Sequence, residues 1–487
     1  MSAASVIQFH FDNSYATLPP KFFVPQSPTT VKAPQLVIFN HSLAQELGIE
    51  VSDCDESELA AIFSGNLLPQ GATPIAQAYA GHQFGGFTML GDGRAILLGE
   101  QITPHGQRFD IQLKGSGRTP FSRRGDGKAT LSAMLREYLI SEAMHHLGIP
   151  TSRSLAVVAT GEPVYREKIH QGAVLTRVAG SHIRCGTFEY ARQFLTQAEL
   201  QVLMDYVIER HYKGVKAAEN PALELLRQVM YRQIDLVVHW MRVGFIHGVM
   251  NTDNMSIAGE TIDYGPCAFM NQYDLQTVFS SIDEGGRYAY GNQPRILHWN
   301  LSVLANSLLP LIAPDTQEAV AMAQELLDTF PMLFRKKWLE MMAAKIGISD
   351  FVEATDLPLI EALLQWIEAY KADYTNTFWL LTAQEPPFDE IYNTPSFNDW
   401  LDKWQQRIGA ENMTAAKTLM KTQNPAFIPR NHLVEEALEA ASQKQDMTQF
   451  ENLLKVLTKP YNYQPEWADF QLPPPQGDSG YQTFCGT

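Results

Sequence analysis

An amide and a carboxylate, Asn254 and Asp263, stand nine residues apart in HGVMNTDNMSIAGETIDYG (residues 247–265), and a second carboxylate, Asp253, sits beside the amide. Hard oxygen donors of this kind suit Mg2+ or Mn2+, which complete their shells with water and nucleotide phosphates. Upstream, Lys114 ends the apolar run FDIQLKGSG, and Glu137 follows 23 residues later inside a helical pattern. Pairing the two would hold an ammonium in place for a phosphate oxygen. Between them, KGSGRTPFSRRGDGKAT (114–130) gathers Lys114, Arg118, Arg123, Arg124 and Lys128 among four glycines. Glycine lets backbone N–H groups approach a polyanion, and arginine offers forked donors matched to phosphate. Arg177 and Arg184, flanking VAGSHI, add two more guanidiniums. GDGR (91–94) reads either as a tight hairpin turn with Asp92-Gly93 at its tip or as a Gly-rich cover over a nucleotide.

Each feature alone has an ordinary reading: a surface Asn and Asp in a hairpin, a solvated strand-end Lys, an exposed helical Glu, a solvated basic turn. Their order carries the argument. A Gly-rich turn, a strand Lys, a helix Glu, a His-led loop with a metal-binding Asn and a metal-binding Asp follow one another as they do in kinases. One position departs from that order. Two residues after His247, where a kinase has its catalytic Asp, this chain has Val249, and the nearby carboxylate is Asp253.

The elements that must position these groups are legible from periodicity. Phe87–Leu90, Ala95–Leu98 and Phe109–Leu113 read as short strands of an antiparallel sheet separated by Gly-rich turns. Residues 129–147 carry apolar side chains at helical spacing and end at Gly148 and Pro150. Strand-like runs follow at LAVVATG and GAVLTRV, and MSIAGETIDYG reads as strand, turn and strand delivering Asp263. From about residue 194 the pattern is mostly helical, and PPPQGDSGYQTFCGT reads as an extended tail. The expected class is therefore α+β: a protein-kinase-like bilobal fold with a β-rich N-terminal lobe, a large helical C-terminal lobe and extra C-terminal helices. The expected divisions are 1–70, an N-terminal extension packing on the core; 71–190, the β-rich nucleotide-binding lobe; 191–465, the helical lobe with the metal site; and 466–487, the tail. The ligand belongs between the lobes.

Composition excludes some classes. Of 487 residues, 37 are basic and 53 acidic, and a formal charge of −16 argues against nucleic acid as the main partner. The hydrophobic fraction of 45% and charged fraction of 18% are those of an ordinary globular protein. No apolar run reaches the roughly 18–20 residues of a membrane-spanning helix, and the N-terminal segment has no signal-peptide core. Cytoplasmic location is the expectation. Cys54, Cys185, Cys267 and Cys485 show no zinc spacing, and reduced thiols are expected.

Longer stretches identify a family resemblance: FDNSYATLPP, YAGHQFGGF, LGDGRAILLGE, DIQLKGSGRTPFSRRGDGKA, LREYLISEAMHHLGIPTSRSL, RVAGSHIRCGTFEY, HGVMNTDNMSI, IDYGPCAFM, SSIDEGGRYAYGNQP and NPAFIPRNHLVEEAL. Together they run over nearly the whole chain, which resembles the selenoprotein O family, pseudokinase-fold enzymes that transfer AMP from ATP to protein hydroxyls. The resemblance implies that Lys114, Arg177 and Arg184 hold nucleotide phosphates, with Gly91, Gly93, Arg94, Asp126 and Gly127 lining the nucleotide. It implies that Glu137 pairs with Lys114, that Asn254 and Asp263 bind Mg2+ or Mn2+, and that Asp253 accepts the proton. In this family the nucleotide lies reversed relative to kinases, so that the α-phosphorus faces the acceptor. Selenocysteine-containing members carry that residue near the chain end, where this chain has Cys485, and a bridge from Cys485 to Cys267 is the corresponding hypothesis.

The expected activity is metal-dependent AMP transfer from ATP to Ser, Thr or Tyr hydroxyls of proteins, with release of pyrophosphate. The alternatives are transfer of another nucleotide such as UMP, a conventional phosphotransferase using Asp253, and a catalytically silent nucleotide-binding scaffold.

Overall fold

The computed structural model describes residues 7–51, 54–383, 390–475, 477–478 and 480–484. Its strands are β1 (Phe23–Pro25), β2 (Gln35–Phe39), β3 (Ile75–Gln77), β4 (Ala80–Gln83), β5 (Gly86–Met89), β6 (Ala95–Ile102), β7 (Arg108–Lys114), β8 (Ala129–Thr130), β9 (Arg153–Tyr165), β10 (Ile169–Ala179), β11 (Phe245–Ile246) and β12 (Ala268–Phe269). Eight of them form an antiparallel sheet in the order β1-β3-β6-β7-β10-β9-β2, with β8 joined to β10. Among the described residues β4 pairs only with β5, and β11 only with β12.

The sheet is buried on both faces, which is why β6, β7, β9 and β10 read as nearly continuous apolar runs. On one face Leu98, Ile111, Leu113, Val158, Val174 and Val178 pack against α1 (His41–Leu47) and α2 (Glu56–Ser64). On the other, Leu97, Val157 and Leu175 meet α3 (Leu131–His146). Thr130 caps α3 by accepting from Ala133 N, and Gly148, at φ 74°, turns the chain at its end.

After residue 184 helices take over: α4 (Cys185–Phe194), α5 (Gln197–His211), α6 (Pro221–Arg242) and α7 (Gln293–Ile312), then further helices from Thr316 to Leu457. α6 starts with Asn220 as cap and Pro221 in its first turn, and runs apolar residues from Leu225 to Met241 into the core. It delivers the chain to β11. Because β11 pairs with β12, residues 247–267 leave and return to one point, a closed excursion that carries Asp253, Asn254 and Asp263. The result is a mixed α/β protein in which the sheet precedes most of the helices. Among the described residues no helix is long and apolar enough to cross a membrane.

Two local expectations are corrected. GDGR is not a hairpin turn, because β5 pairs with β4 while β6 joins the main sheet, so 91–94 links two sheets. Residues 255–263 do not form strand, turn and strand. They make only single bridges to Arg184 and Thr151, and Asp263 lies in left-handed backbone at φ 63°. The C-terminal segment lies against the core: Asp478 accepts from the backbone N–H groups of Asn271 (2.9 Å) and Gln272 (3.0 Å), and Thr483 donates to Pro266 O (2.7 Å). Cys267 is a buried free thiol, and Cys485 lies outside the described residues.

Candidate active site

Alternation along two neighbouring strands builds the cationic wall. On β7, Ile111 and Leu113 face α1 and α2, so Gln112 and Lys114 face the other way. The register sets Lys114 opposite Leu175 and Gln112 opposite Arg177 on β10. Lys114 Nζ donates to Glu137 Oε2 on α3 at 2.5 Å and to Asp263 Oδ1 at 2.8 Å. Arg177, only 1% exposed, donates to Gln112 Oε1 (2.6 Å), Glu137 Oε1 (3.3 Å) and Asp263 Oδ1 (2.7 Å). Arg184, just before α4, donates to Asp263 Oδ2 (3.1 Å) and the Asp253 backbone carbonyl (2.8 Å) and stacks on Tyr79, 4.4 Å from the ring centre. Three cations thus converge on one carboxylate, and against the cost of its burial they hold Asp263 well below the usual carboxylate range.

The opposite wall is the 247–254 loop. His247 is buried, with Nε2 2.9 Å from Ile262 O, which ties the loop to the Asp263 segment. Val249 lines the cavity with an apolar side chain and accepts Asn254 Nδ2 at its carbonyl (3.0 Å). Asp253 is 7% exposed, and burial pushes its carboxyl up to about 6 against the pull of Arg184. Its Oδ2 is 3.4 Å from Gln83 Nε2, while Oδ1 is buried with no hydrogen-bond partner among the described residues. The Nε–H of Arg184 is likewise buried and unpartnered. A buried acceptor and a buried donor left open in one cleft are the marks of a polar ligand's place.

These walls enclose a cavity of about 570 Å3. Gly91, Gly93, Arg94, Lys114, Asp126, Gly127, Arg177, Arg184, Asp253, Asn254 and Asp263 all line it, and Glu137 stands behind Lys114. The basic loop divides. Arg123, Asp126, Gly127 and Lys128 line the cavity, whereas Arg118 and Arg124 are exposed and do not. Asp126 is held by Arg166 through two bonds of 2.8 and 3.1 Å, which lower its carboxyl, and Lys128 is paired with Glu162 at 2.7 Å. Gly91, at φ 123°, leaves no room for a side chain, since a Cβ would lie 2.4 Å from the Phe121 ring. Asp92 is buried beneath the loop, accepts from Gln77 N (3.0 Å), and is pushed up to about 6 by desolvation.

Asp263, Asn254 and the open Oδ1 of Asp253 are all hard oxygen donors, a set that fits Mg2+ or Mn2+ supplemented by phosphate oxygens. Among the described residues there is no cluster of three or more His, Cys, Asp or Glu side chains suited to a metal. The fit therefore depends on oxygens brought by the nucleotide.

Sequence reasoning missed the lip of the cavity. β4 and β5 fold over the loop: His82 N donates to Thr252 Oγ1 (2.7 Å) and Phe84 N to Asn251 Oδ1 (3.1 Å). Tyr79, Gln83, Asn251 and Arg166 all line the cleft without belonging to the kinase-like order. The only hint was the Gly-rich run YAGHQFGGF, which does not by itself say what it packs against.

A sequence model described as protein adenylyltransferase SelO matches residues 5–458. A protein nucleotidyltransferase YdiU from Brevibacillus brevis is 56% identical over 481 residues, 98% of each chain. Proteins of the same name from Syntrophotalea carbinolica and Anoxybacillus flavithermus are 55% and 56% identical, again over 98% of this chain and 98% and 99% of theirs. Agreement of that extent shows that the chain belongs to the protein adenylyltransferase SelO family.

Proposed function

We propose that the chain binds ATP with a divalent cation in the 570 Å3 cavity and transfers AMP to Ser, Thr or Tyr hydroxyls of proteins, releasing pyrophosphate. Family membership supports the transfer of AMP to protein. The observation that carries the site assignment is the juxtaposition of the unpartnered Asp253 Oδ1 with the Lys114, Arg177 and Arg184 cluster. The sheet-bearing residues 71–190 and the helical residues 191–465 are read as the two lobes of a kinase-like fold, with 1–70 as an extension, 466–487 as a tail and the cavity between the lobes. The substrate and the buried thiols of Cys185 and Cys267, unbridged among the described residues, suit a cytoplasmic enzyme.

In this reading Asp253 accepts the proton of the acceptor hydroxyl, whose oxygen then bonds to the α-phosphorus as the bond to the pyrophosphate oxygen breaks. Lys114, Arg177 and Arg184 hold the β- and γ-phosphates and stabilise the charge gathering on the leaving group. Gly91, Gly93, Arg94, Asp126 and Gly127 line the rest of the nucleotide. A divalent ion held by Asn254 and Asp263 would supply Lewis-acid charge to the phosphate oxygens. Raising the Asp253 carboxyl to about 6 leaves it ionised at neutral pH yet basic enough to take a proton. Val249 leaves the usual kinase base position without a proton acceptor, so either transfer would use Asp253, and the phosphate that is transferred distinguishes them.

The test incubates purified protein with casein, Mg2+ or Mn2+, and ATP labelled at the α or γ phosphate, with an α-labelled UTP arm. Label on casein from α-ATP alone is expected. Label from γ alone would replace the reading with a kinase, label from UTP in preference to ATP with a uridylyltransferase, and none with a scaffold. Asp253→Asn should lower kcat by roughly 10²–10⁴-fold while ATP binding persists.

A further inference from the structure

The lip of the cavity has an unpaired edge. In the β4–β5 ladder, Tyr79 O accepts from Leu90 N (3.0 Å), while His82 N leaves the ladder to reach Thr252. Bonded and non-bonded pairs alternate in an antiparallel ladder. Given the register, Gly81 with Thr88 and Gln83 with Gly86 exchange the ladder bonds, and the N–H and C=O groups of Phe87 and Met89 point outward. Among the described residues no strand joins that side of β5. The strand, GFTM, has neither the charge nor the proline that usually guards an open edge.

The two faces of this small sheet differ. Tyr79, Gln83 and Leu90 face the cavity, and a Cβ on Gly81 would lie 2.5 Å from Asp253 Oδ1. The other face carries His82, Phe87 and Met89, with the Phe87 ring 6.2 Å from that of Phe194 at the end of α4. Phe87, Met89 and Phe194 are 44%, 40% and 49% exposed, an apolar shelf beside the mouth of the site.

We propose that the free edge of β5 docks the acceptor protein, an extended segment of which adds as a third strand to β4 and β5. This inference rests on the function proposed above and names how its second substrate is held. Backbone groups of Phe87 and Met89 bond the incoming strand, whose alternate side chains settle on the Phe87, Met89 and Phe194 shelf. The docked strand itself lies about 10 Å from β4, two strand spacings away, so the acceptor hydroxyl is carried by the chain that continues from it toward Asp253. The occupant is identified by continuity: the sheet that offers the edge is the one lying over the open oxygen of Asp253.

Phe87→Pro and Met89→Pro each remove one outward N–H and leave the ladder bonds of Gly81, Gln83, Gly86 and Thr88 intact. Steady-state transfer from α-labelled ATP to unfolded, dephosphorylated casein is measured for both, with Phe87→Val as the variant that keeps the N–H. The expected result is a KM for casein raised about tenfold in each proline variant and less in Phe87→Val, with kcat and the KM for ATP unchanged. Transfer at an unchanged casein KM in both proline variants would overturn the docking proposal and leave the proposed function standing. An equal rise in the ATP KM would overturn it too, since the hairpin would then be acting on the cavity. Absence of α-label transfer by the unaltered protein would overturn the function and this inference with it.

Discussion

Lys114, Arg177 and Arg184 all reach the carboxylate of Asp263, at 2.8, 2.7 and 3.1 Å, and two of these cations also share Glu137. Removing Asp263 leaves three cations in a buried cluster with one carboxylate. Taking one partner from a buried ion cluster costs several kcal/mol, because the remaining charges stay desolvated and unpaired. Asp263→Ala is therefore expected to lose about 3 kcal/mol of stability. Metal-free tripolyphosphate should raise its melting temperature more than that of the unaltered protein, because the anion replaces the lost carboxylate. Equal shifts in a thermal melt would show that the three cations do not form one anion site.

At the scale of elements, the site depends on how closely β4 approaches the 247–254 loop. Gly81 has no room for a methyl group, which would displace the Asp253 side chain. Gly81→Ala should lower kcat about 10²-fold through misplacement of that carboxylate, with ATP affinity kept. A full-rate variant would mean that Asp253 is not the base. The turn after β10 is pinned by Glu260, which accepts from Gly180 N at 2.9 Å. Burial raises the Glu260 carboxyl from its ordinary 4.5 to about 7. The folded chain thus keeps this proton between those two values while the unfolded chain has released it. The stability Glu260 contributes is complete below 4.5 and lost as pH rises through about 7. Since the side chain is only half-buried, Glu260→Gln should gain on the order of 1–2 kcal/mol at pH 8 and nothing at pH 4. Urea midpoints at the two pH values check this, and parallel shifts at both would refute it.

Across the whole molecule, one arginine joins segments far apart in sequence. Arg430 is fully buried and donates to Asn271, Asp373, Asn376 and the carbonyl of Gln471. It holds the segment following β12, the start of the helix Tyr374–Ala383 and the chain leading into the tail. Arg430→Met removes every one of these bonds and leaves Asp373 facing an apolar chain, so a loss of about 3–5 kcal/mol is expected in urea unfolding. A loss below about 1 kcal/mol would mean that water replaces the arginine at no cost.

What the sequence determined by itself is local. The spacing of Val249, Asp253, Asn254 and Asp263, the alternation in FDIQLK and the helical period around Glu137 are all set within a few turns of chain, and each marks its residue for chemistry. The strand, turn and strand read before Asp263 failed because its backbone takes single bridges from Arg184 and Thr151 instead of pairing with itself. Only the tertiary structure decided which side chains share a wall. Lys114 faces Glu137 because β7 lies beside β10 in one register, and a one-residue slip would turn both Gln112 and Lys114 to the opposite face. Likewise, β4 covers Asp253 from about 170 positions away. No periodicity extends over such a distance, because long-range contact is selected by packing and hydrogen-bond satisfaction of the whole chain.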